Sequence, residues 1–334
     1  MIDNIPNDAP SFSEPATNPA PVEVKPPEPA RRVAVVGEIP FSGLAVTRML
    51  LKKGFSVRVL CPTPQIETSV RAEQASVGPD AELDTVIGDV GSAEALKKVT
   101  RDVYAVCFFS PINLYGRMYR PDTHLEDVRR VIEASQYGAI RKLVYHSSLG
   151  AYKEATSQTM RDSASAEELI HAAKCEDYRI RTGPLMGRGD GFLTDMIRLA
   201  QSPLPVQRVL GYGDTVVQPI HVDDMARCVA RLLKDSPTEL QANSYALGGP
   251  EVVKVLDLMD SAAEKLHKLK LKVHVPLFVL KMIRGVVSAE FREESNLLFD
   301  AYYTDQNDAP SLLEPGQELR SIRQVEDEIA LARS

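Results

Sequence analysis

The most constraining feature of the sequence is a short apolar run that leads through a glycine-bounded turn into an amphipathic segment. Residues 33–36 are continuously apolar, as in a strand buried on both faces of a parallel sheet. Gly37 and Gly43 bound the turn, and residues 44–53 then carry apolar side chains at helical spacing up to Gly54, a typical residue after a helix end. This order of strand, turn and helix predicts the first unit of an α/β domain.

The same alternation continues through the first half of the chain. Further strands are predicted at residues 57–60, 84–89, 104–109 and 142–148, and helices at residues 92–99 and 122–137. Right-handed helical crossovers between parallel strands account for this spacing, so we predict a Rossmann-type doubly wound parallel sheet. In this prediction, residues 31–180 form the dinucleotide-binding domain, and residues 181–334 form a smaller α/β substrate lobe interleaved with the sheet.

The second half is less regular. Strands are expected at residues 178–185 and 216–222. Residues 270–275 are expected to form either a strand or the end of a helix. Helices are expected at residues 164–174, 192–200, 223–234, 252–269, 277–287, 291–298 and 322–332.

Residues 1–30 differ in composition from everything that follows. They are rich in proline, with serine, asparagine, alanine and acidic residues between, and this mixture cannot bury enough apolar surface to form a core. We predict a disordered tail. Its polyproline stretch at residues 24–29 is either a docking ligand for a protein partner or a plain spacer.

Charge and composition restrict the partners and the location. The formal net charge is -7, so the molecule as a whole has no attraction for nucleic acid. No apolar run has the roughly 18–20 residues that a membrane span needs. The four cysteines are far apart and lack zinc spacing with histidine, so we predict no metal site. The N-terminus resembles neither a signal peptide nor a transit peptide, and we expect a cytoplasmic protein.

The first turn has the geometry of a phosphate-binding loop. A helix that begins at Gly43 offers free amides and a partial positive charge, while Gly37 permits a tight turn. The predicted cofactor contacts in the turn are Gly37, Ile39, Phe41, Ser42 and Gly43.

Five segments, in the same order, resemble the atypical or extended branch of the short-chain dehydrogenase/reductase superfamily. They are residues 33–43 (VAVVGEIPFSG), 86–90 (VIGDV), 142–148 (KLVYHSS), 219–226 (PIHVDDMA) and 245–251 (YALGGPE). The resemblance covers residues 32–300. The branch includes NmrA-like proteins, NADPH-dependent reductases and a cofactor-holding accessory subunit of respiratory complex I. It implies NADP or NAD as cofactor, unless the site has degenerated.

Two residues of the turn depart from the family pattern. Pro40 replaces the middle glycine, which adds a ring and removes an N–H donor. Glu38 places a carboxylate near the expected phosphate position, unless it points to solvent. Both changes should weaken phosphate binding, so a chain without cofactor is an alternative.

Residues after the other strands indicate how the rest of a dinucleotide would lie. No acid follows the second strand before Glu67, while Arg58 lies in that strand and Arg71 follows, a combination that favours NADP over NAD. The family pattern implies that Asp89 and Val90 border the adenine. Phe109 and Ser110 follow the fourth strand and are predicted to border the cofactor.

The family's catalytic pair is a tyrosine with a lysine four residues later. None of the eleven tyrosines has this lysine, and alignment places Thr159 and Ser163 at the two positions. Ser148 and Tyr152 are the substitute candidates. His221 is either a catalytic base or a structural residue. The structural role would place it beside Asp223, which we predict to cap a helix.

Two functions follow from these observations. The first is a non-catalytic NADPH-binding protein with a redox-sensing or assembly role, and the second is an NADPH-dependent reductase or epimerase-like enzyme acting on a small organic substrate. The missing pair, Pro40 and Glu38 favour the first.

Overall fold

The computed structural model describes residues 31–110, 121–201, 206–210, 213–234, 242–266, 271–275, 296, 300 and 302–331. The predicted tail at 1–30 and the predicted helix at 277–287 lie outside the described residues, as does the predicted helix at 291–298 apart from residue 296.

The first five strands agree in order with the predicted alternation, whereas the strands at residues 206–210, 244–247 and 253–254 were not predicted. In the described part of the chain, the strands are β1 (Arg32–Gly37), β2 (Ser56–Cys61), β3 (Leu83–Ile87), β4 (Ala105–Phe109), β5 (Lys142–Ser148), β6 (Glu176–Thr182), β7 (Leu185–Met186), β8 (Val206–Leu210), β9 (Val216–Val217), β10 (Ile220–His221), β11 (Ser244–Leu247), β12 (Val253–Lys254) and β13 (Leu271–Val275). A five-residue turn of π-helix, Ile39–Gly43, follows β1.

The helices lie between these strands and after them. They are α1 (Leu44–Lys52), α2 (Pro64–Val77), α3 (Ala93–Val99), α4 (Pro121–Tyr137), α5 (Gln158–His171), α6 (Leu193–Gln201), α7 (Val222–Lys234), α8 (Val255–Lys265), α9 (Ala309–Leu312) and α10 (Ile322–Leu331). No helix in the described part of the chain combines the length and the apolarity that a bilayer crossing demands.

A seven-stranded parallel sheet confirms the predicted doubly wound α/β fold. Its strand order is β11-β6-β5-β4-β1-β2-β3, with every neighbouring pair parallel. The order reverses between β1 and β4, so the connections after these strands leave in opposite directions and open a crevice at the carboxyl edge. This crevice is where the turn after β1 lies.

The two faces of the sheet have separate apolar cores. Alternate residues of β1 divide between them: Val33 and Val35 pack on the side of α1 and α7, and Ala34 and Val36 pack on the side of α3 and α4. All four are fully buried, which explains the unbroken apolar run in the sequence. Residues beyond 180 join the first core through β11, α7 and α9.

Three predicted boundaries were wrong. Helix α5 begins at Gln158, six residues before the predicted start at residue 164, because Ser157 caps it and Asp300 accepts hydrogen bonds from the amides of Thr156 (2.8 Å) and Ser157 (3.1 Å). The predicted strand at residues 216–222 is two short strands, since Gln218 between them donates its amide to Tyr302 instead. The predicted strand at residues 178–185 likewise ends at Thr182.

Candidate functional site

Two positions of the turn after β1 require glycine. Gly37 has a φ of +99°, and a Cβ there would lie 2.1 Å from the carbonyl oxygen of Phe109. A Cβ on Gly43 would lie 2.8 Å from the carbonyl oxygen of Glu38. The amide of Glu38 donates to the Phe109 carbonyl at 2.8 Å, which fixes the turn to the sheet edge.

The Glu38 side chain folds back onto the first turn of the helix. One carboxylate oxygen accepts the amide of Phe41 at 2.9 Å, and the other accepts the amide of Ser42 at 2.7 Å. Burial raises the pKa of the Glu38 carboxyl, and the hydrogen bonds from Ser42 and Phe41 oppose that rise. Because each of its oxygens accepts a backbone amide, the carboxylate occupies the place of an anion at the helix N-terminus, where the dipole favours negative charge.

As it stands, this turn does not fit a dinucleotide diphosphate. The amides of Phe41 and Ser42 bind Glu38, the amide of Gly43 donates to the Glu38 carbonyl at 3.0 Å, and Pro40 has no N–H. The Ile39 side chain is fully buried in the core, so it does not face the edge.

Asp89 and Val90, which are predicted to border the adenine, follow β3 at the same edge of the sheet. Asp89 is exposed after β3, and one of its oxygens accepts the amide of Gly91 at 3.0 Å. Val90 is half-buried and packs against the core beneath α3 and α4. Arg71 on α2 pairs with Glu67 at 2.7 Å, and both bond to the Thr85 hydroxyl.

Arg58 lies away from this edge. It precedes the carboxyl end of β2 by three residues, which is roughly 10 Å along a strand. Its guanidinium pairs with Asp84 at 2.7 Å. It also donates to the carbonyl oxygens of Lys98, in the last turn of α3, and of Arg101, just after that helix. A cation is favoured there by the negative end of that helix. The structure thus separates Arg58 from the other predicted cofactor residues.

Phe109 and Ser110 lie at the end of β4 beside a buried polar cluster that the sequence analysis missed. The Ser110 hydroxyl and the Tyr145 hydroxyl each lie 3.3 Å from a ring nitrogen of His124 on α4. Burial lowers the pKa of His124 to about 4, so the ring is neutral at physiological pH. Phe109 is fully buried, and its ring centre lies 5.9 Å from that of His146. The only sequence signal for this cluster was a histidine in the first turn of a long helix.

The positions of the family's catalytic pair carry hydroxyl groups that face inward. Thr159 and Ser163 are buried, and the Ser163 hydroxyl donates to the Thr159 carbonyl at 2.7 Å. Of the two substitute candidates, Ser148 is buried and its hydroxyl accepts the amide of Gly150, while Tyr152 is 40% exposed. These groups do not form a tyrosine–lysine arrangement.

A buried ion pair ties α5 to the sheet one turn further along. Glu167 accepts hydrogen bonds from Arg181 Nε, at 2.8 and 3.0 Å, and from Arg181 Nη2. It accepts another from the Ser147 hydroxyl at 2.5 Å. Its side chain is only 4% exposed. Arg181 of β6 is therefore bound to this carboxylate, which joins the strand to α5.

His221 is the residue that caps α7, which corrects the predicted cap at Asp223. The helix begins at Val222, and the Asp223 amide donates to His221 Nδ1 at 3.1 Å. Burial and the nearby Arg320 guanidinium lower the pKa of His221. The Asp223 carboxylate instead pairs with Arg48 of α1 at 2.5 Å.

A cleft of about 770 Å³ opens beside the turn, between α1 and α7. Pro40 and Phe41 form part of its wall. Two of its three arginines are paired: Arg48 with Glu73 and Asp223, and Arg320 with Asp223 and Glu328. These pairs hold α1, α7 and α10 together, while the third arginine of the lining, Arg188, is exposed.

A family model described as NAD(P)H-binding matches residues 41–236, more than half of the chain. Two relatives are both named NADH dehydrogenase [ubiquinone] 1 alpha subcomplex subunit 9, mitochondrial. The protein from Arabidopsis thaliana is 28% identical over 74% of this chain and 61% of its own length. The protein from Mus musculus is 26% identical over 52% of this chain and 46% of its own length.

The chain therefore spans roughly half to three-fifths of the length of these relatives. Among solved structures, an NADPH-dependent quinone oxidoreductase from Escherichia coli has a TM-score of 0.64 at 14% identity, covering 90% of this chain and 100% of the other. This likeness concerns the fold alone.

The sheet order, the glycine-bounded turn and the family match agree with one another. The resemblance inferred from the five segments is confirmed as that of an NAD(P)-binding protein with a Rossmann-like α/β fold. The chain belongs to the NAD(P)H-binding family.

Proposed function

We propose that this protein holds a nicotinamide dinucleotide without turning it over. The observation that carries the proposal is the pair of positions on α5 that hold Thr159 and Ser163, with the Ser163 hydroxyl committed to the Thr159 carbonyl. In the family pair, the lysine ammonium lowers the pKa of the tyrosine hydroxyl. Ser163 stands at the lysine position, so the Thr159 hydroxyl does not replace the tyrosine as proton donor.

The surroundings of these positions support the same function. Glu167 on α5 is bound by Arg181 and Ser147, so the nearby charged groups bind each other. His124, a buried residue of α4, is neutral and lies between two hydroxyl groups. If the dinucleotide binds, it supplies a hydride donor, while the chain supplies the sheet edge on which it lies.

NADPH is the proposed cofactor in preference to NADH. The support is the lack of an acid directly after β2 and the position of Arg71 on the next helix. To bind the 2′-phosphate of NADPH, Arg71 would have to break its ion pair with Glu67. Arg58 no longer supports this preference, because its guanidinium lies at the far end of α3.

An assembly role is the proposed context. The two named relatives are subunits of NADH dehydrogenase, and a chain that binds a nucleotide without catalysis suits a structural subunit. The predicted tail at residues 1–30 is the proposed segment for a protein partner.

The cytoplasmic location predicted above stays a prediction, and both relatives are named as mitochondrial. Cell fractionation followed by native electrophoresis distinguishes these locations and shows any co-migrating complex.

The absence of turnover is directly measurable. The full chain is incubated with NADPH and a panel of quinones and small carbonyl compounds, and the nicotinamide absorbance is followed over time. We expect oxidation no faster than with heat-unfolded chain, because the proton donor is missing. Oxidation that depends on both folded protein and a particular substrate would identify a reductase instead.

A further inference from the structure

We propose that the Glu38 carboxylate is an internal substitute for the cofactor diphosphate, so that NAD(P)H binds only when this side chain leaves the turn. The inference rests on the proposed function, because it concerns how the same site admits its nucleotide.

The first step is the match between the carboxylate and the place of a phosphate. The free amides of a helix N-terminus are the groups that bind phosphate in this fold. Here the amides of Phe41 and Ser42 each bind a different oxygen of Glu38, at 2.9 and 2.7 Å. Charge-assisted bonds of this kind are stronger than those between neutral groups. The turn is thus already filled by an anion of its own chain.

The second step is that the carboxylate and a phosphate exclude one another. Both are anions and both need the same N–H groups, so they cannot lie together without strong repulsion. The neighbouring positions offer no replacement for these two amides, because Pro40 lacks an N–H and the Gly43 amide donates to the Glu38 carbonyl. A diphosphate that binds the amides of Phe41 and Ser42 must therefore displace the Glu38 side chain rather than bind beside it.

The third step is that displacement needs no change of backbone. The Glu38 amide is held by the Phe109 carbonyl at 2.8 Å, and its backbone is extended with φ of -74° and ψ of 98°. Rotation about the side-chain bonds alone carries the carboxylate away while the turn stays in place.

The test is a calorimetric titration of NADPH into the full chain and two variants. Glu38→Ala removes the carboxylate, and Glu38→Gln keeps its size without its charge. We expect Glu38→Ala to bind NADPH at least about tenfold more tightly than wild type, and Glu38→Gln to lie between them. The matched control is Glu94→Ala, which removes an exposed carboxylate from the first turn of α3 and should leave affinity unchanged.

Inorganic pyrophosphate serves as a second probe, since it tests the turn without adenine or nicotinamide. We expect it to bind Glu38→Ala and not wild type. If Glu38→Ala does not fold, the same comparison is made with Glu38→Gln. Equal NADPH affinity in wild type and folded variant overturns the inference while leaving the proposed function intact. No NADPH binding to any form overturns the proposed function and the inference together.

Discussion

Replacing Gly37 by alanine is expected to lower the free energy of unfolding by about 4 kcal/mol. The residue has a φ of +99°, and the added methyl group would lie 2.1 Å from the Phe109 carbonyl oxygen and 3.0 Å from the Phe108 ring. The two strands cannot easily move away from each other to make room for the methyl group, because β1 also pairs with β2 and β4 also pairs with β5. Urea unfolding followed by circular dichroism measures the change.

The matched control is Gly54→Ala. Gly54 also has a positive φ, of +79°, but nothing lies within 4 Å of an added Cβ. Only the backbone strain remains, so we expect a loss of about 1 kcal/mol. Equal losses in the two variants would mean that the close contact between the turn and Phe109 does not exist.

Breaking the ion pair between α5 and β6 is the second large effect. Arg181→Met leaves the Glu167 carboxylate buried, with the Ser147 hydroxyl among its remaining partners. Removing one member of a buried pair typically costs about 3–5 kcal/mol. Arg181 is 38% exposed, so solvent reduces the effect, and we expect a loss of about 2–3 kcal/mol in urea unfolding.

The double variant Arg181→Met with Glu167→Gln separates the pair from the packing. It removes the orphaned charge, so it should be more stable than Arg181→Met alone. A single variant as stable as wild type would show that Glu167 reaches water. In that case, the ion pair would not contribute to the stability of the fold.

The fold was predictable because its signals are local. Residues 33–36 read as a buried strand, and the two glycines of the turn lie where a strand meets a helix. The predicted sheet followed from repeating this pattern. The start of α5 was not predictable, because the carboxylate that fixes it is Asp300, far away in sequence.

The site was predictable only in part, for the same reason. The sequence placed Glu38 near the phosphate position but not the direction of its side chain, which depends on which amides the turn leaves free. Arg58 lies three residues before the end of β2, and its guanidinium contacts the end of α3, which the residue type alone does not indicate. His124 binds the hydroxyl groups of residues from two other elements, and no spacing in the sequence brings them together.

In the proposed function, a nucleotide-binding fold is combined with the loss of the tyrosine–lysine pair. Both the sheet edge and the glycine-bounded turn persist, while the positions that would do chemistry hold Thr159 and Ser163. Selection for nucleotide binding and packing, without selection for turnover, would leave this combination. The Glu38 carboxylate then sets how readily the nucleotide enters.

Equilibrium binding of NADPH and NADH to the full wild-type chain tests the central claim most directly. The account predicts saturable binding of one nucleotide per chain, tighter for NADPH, with a rise in melting temperature that grows with nucleotide concentration. No binding of either nucleotide at millimolar concentration, and no change in melting temperature, would contradict it.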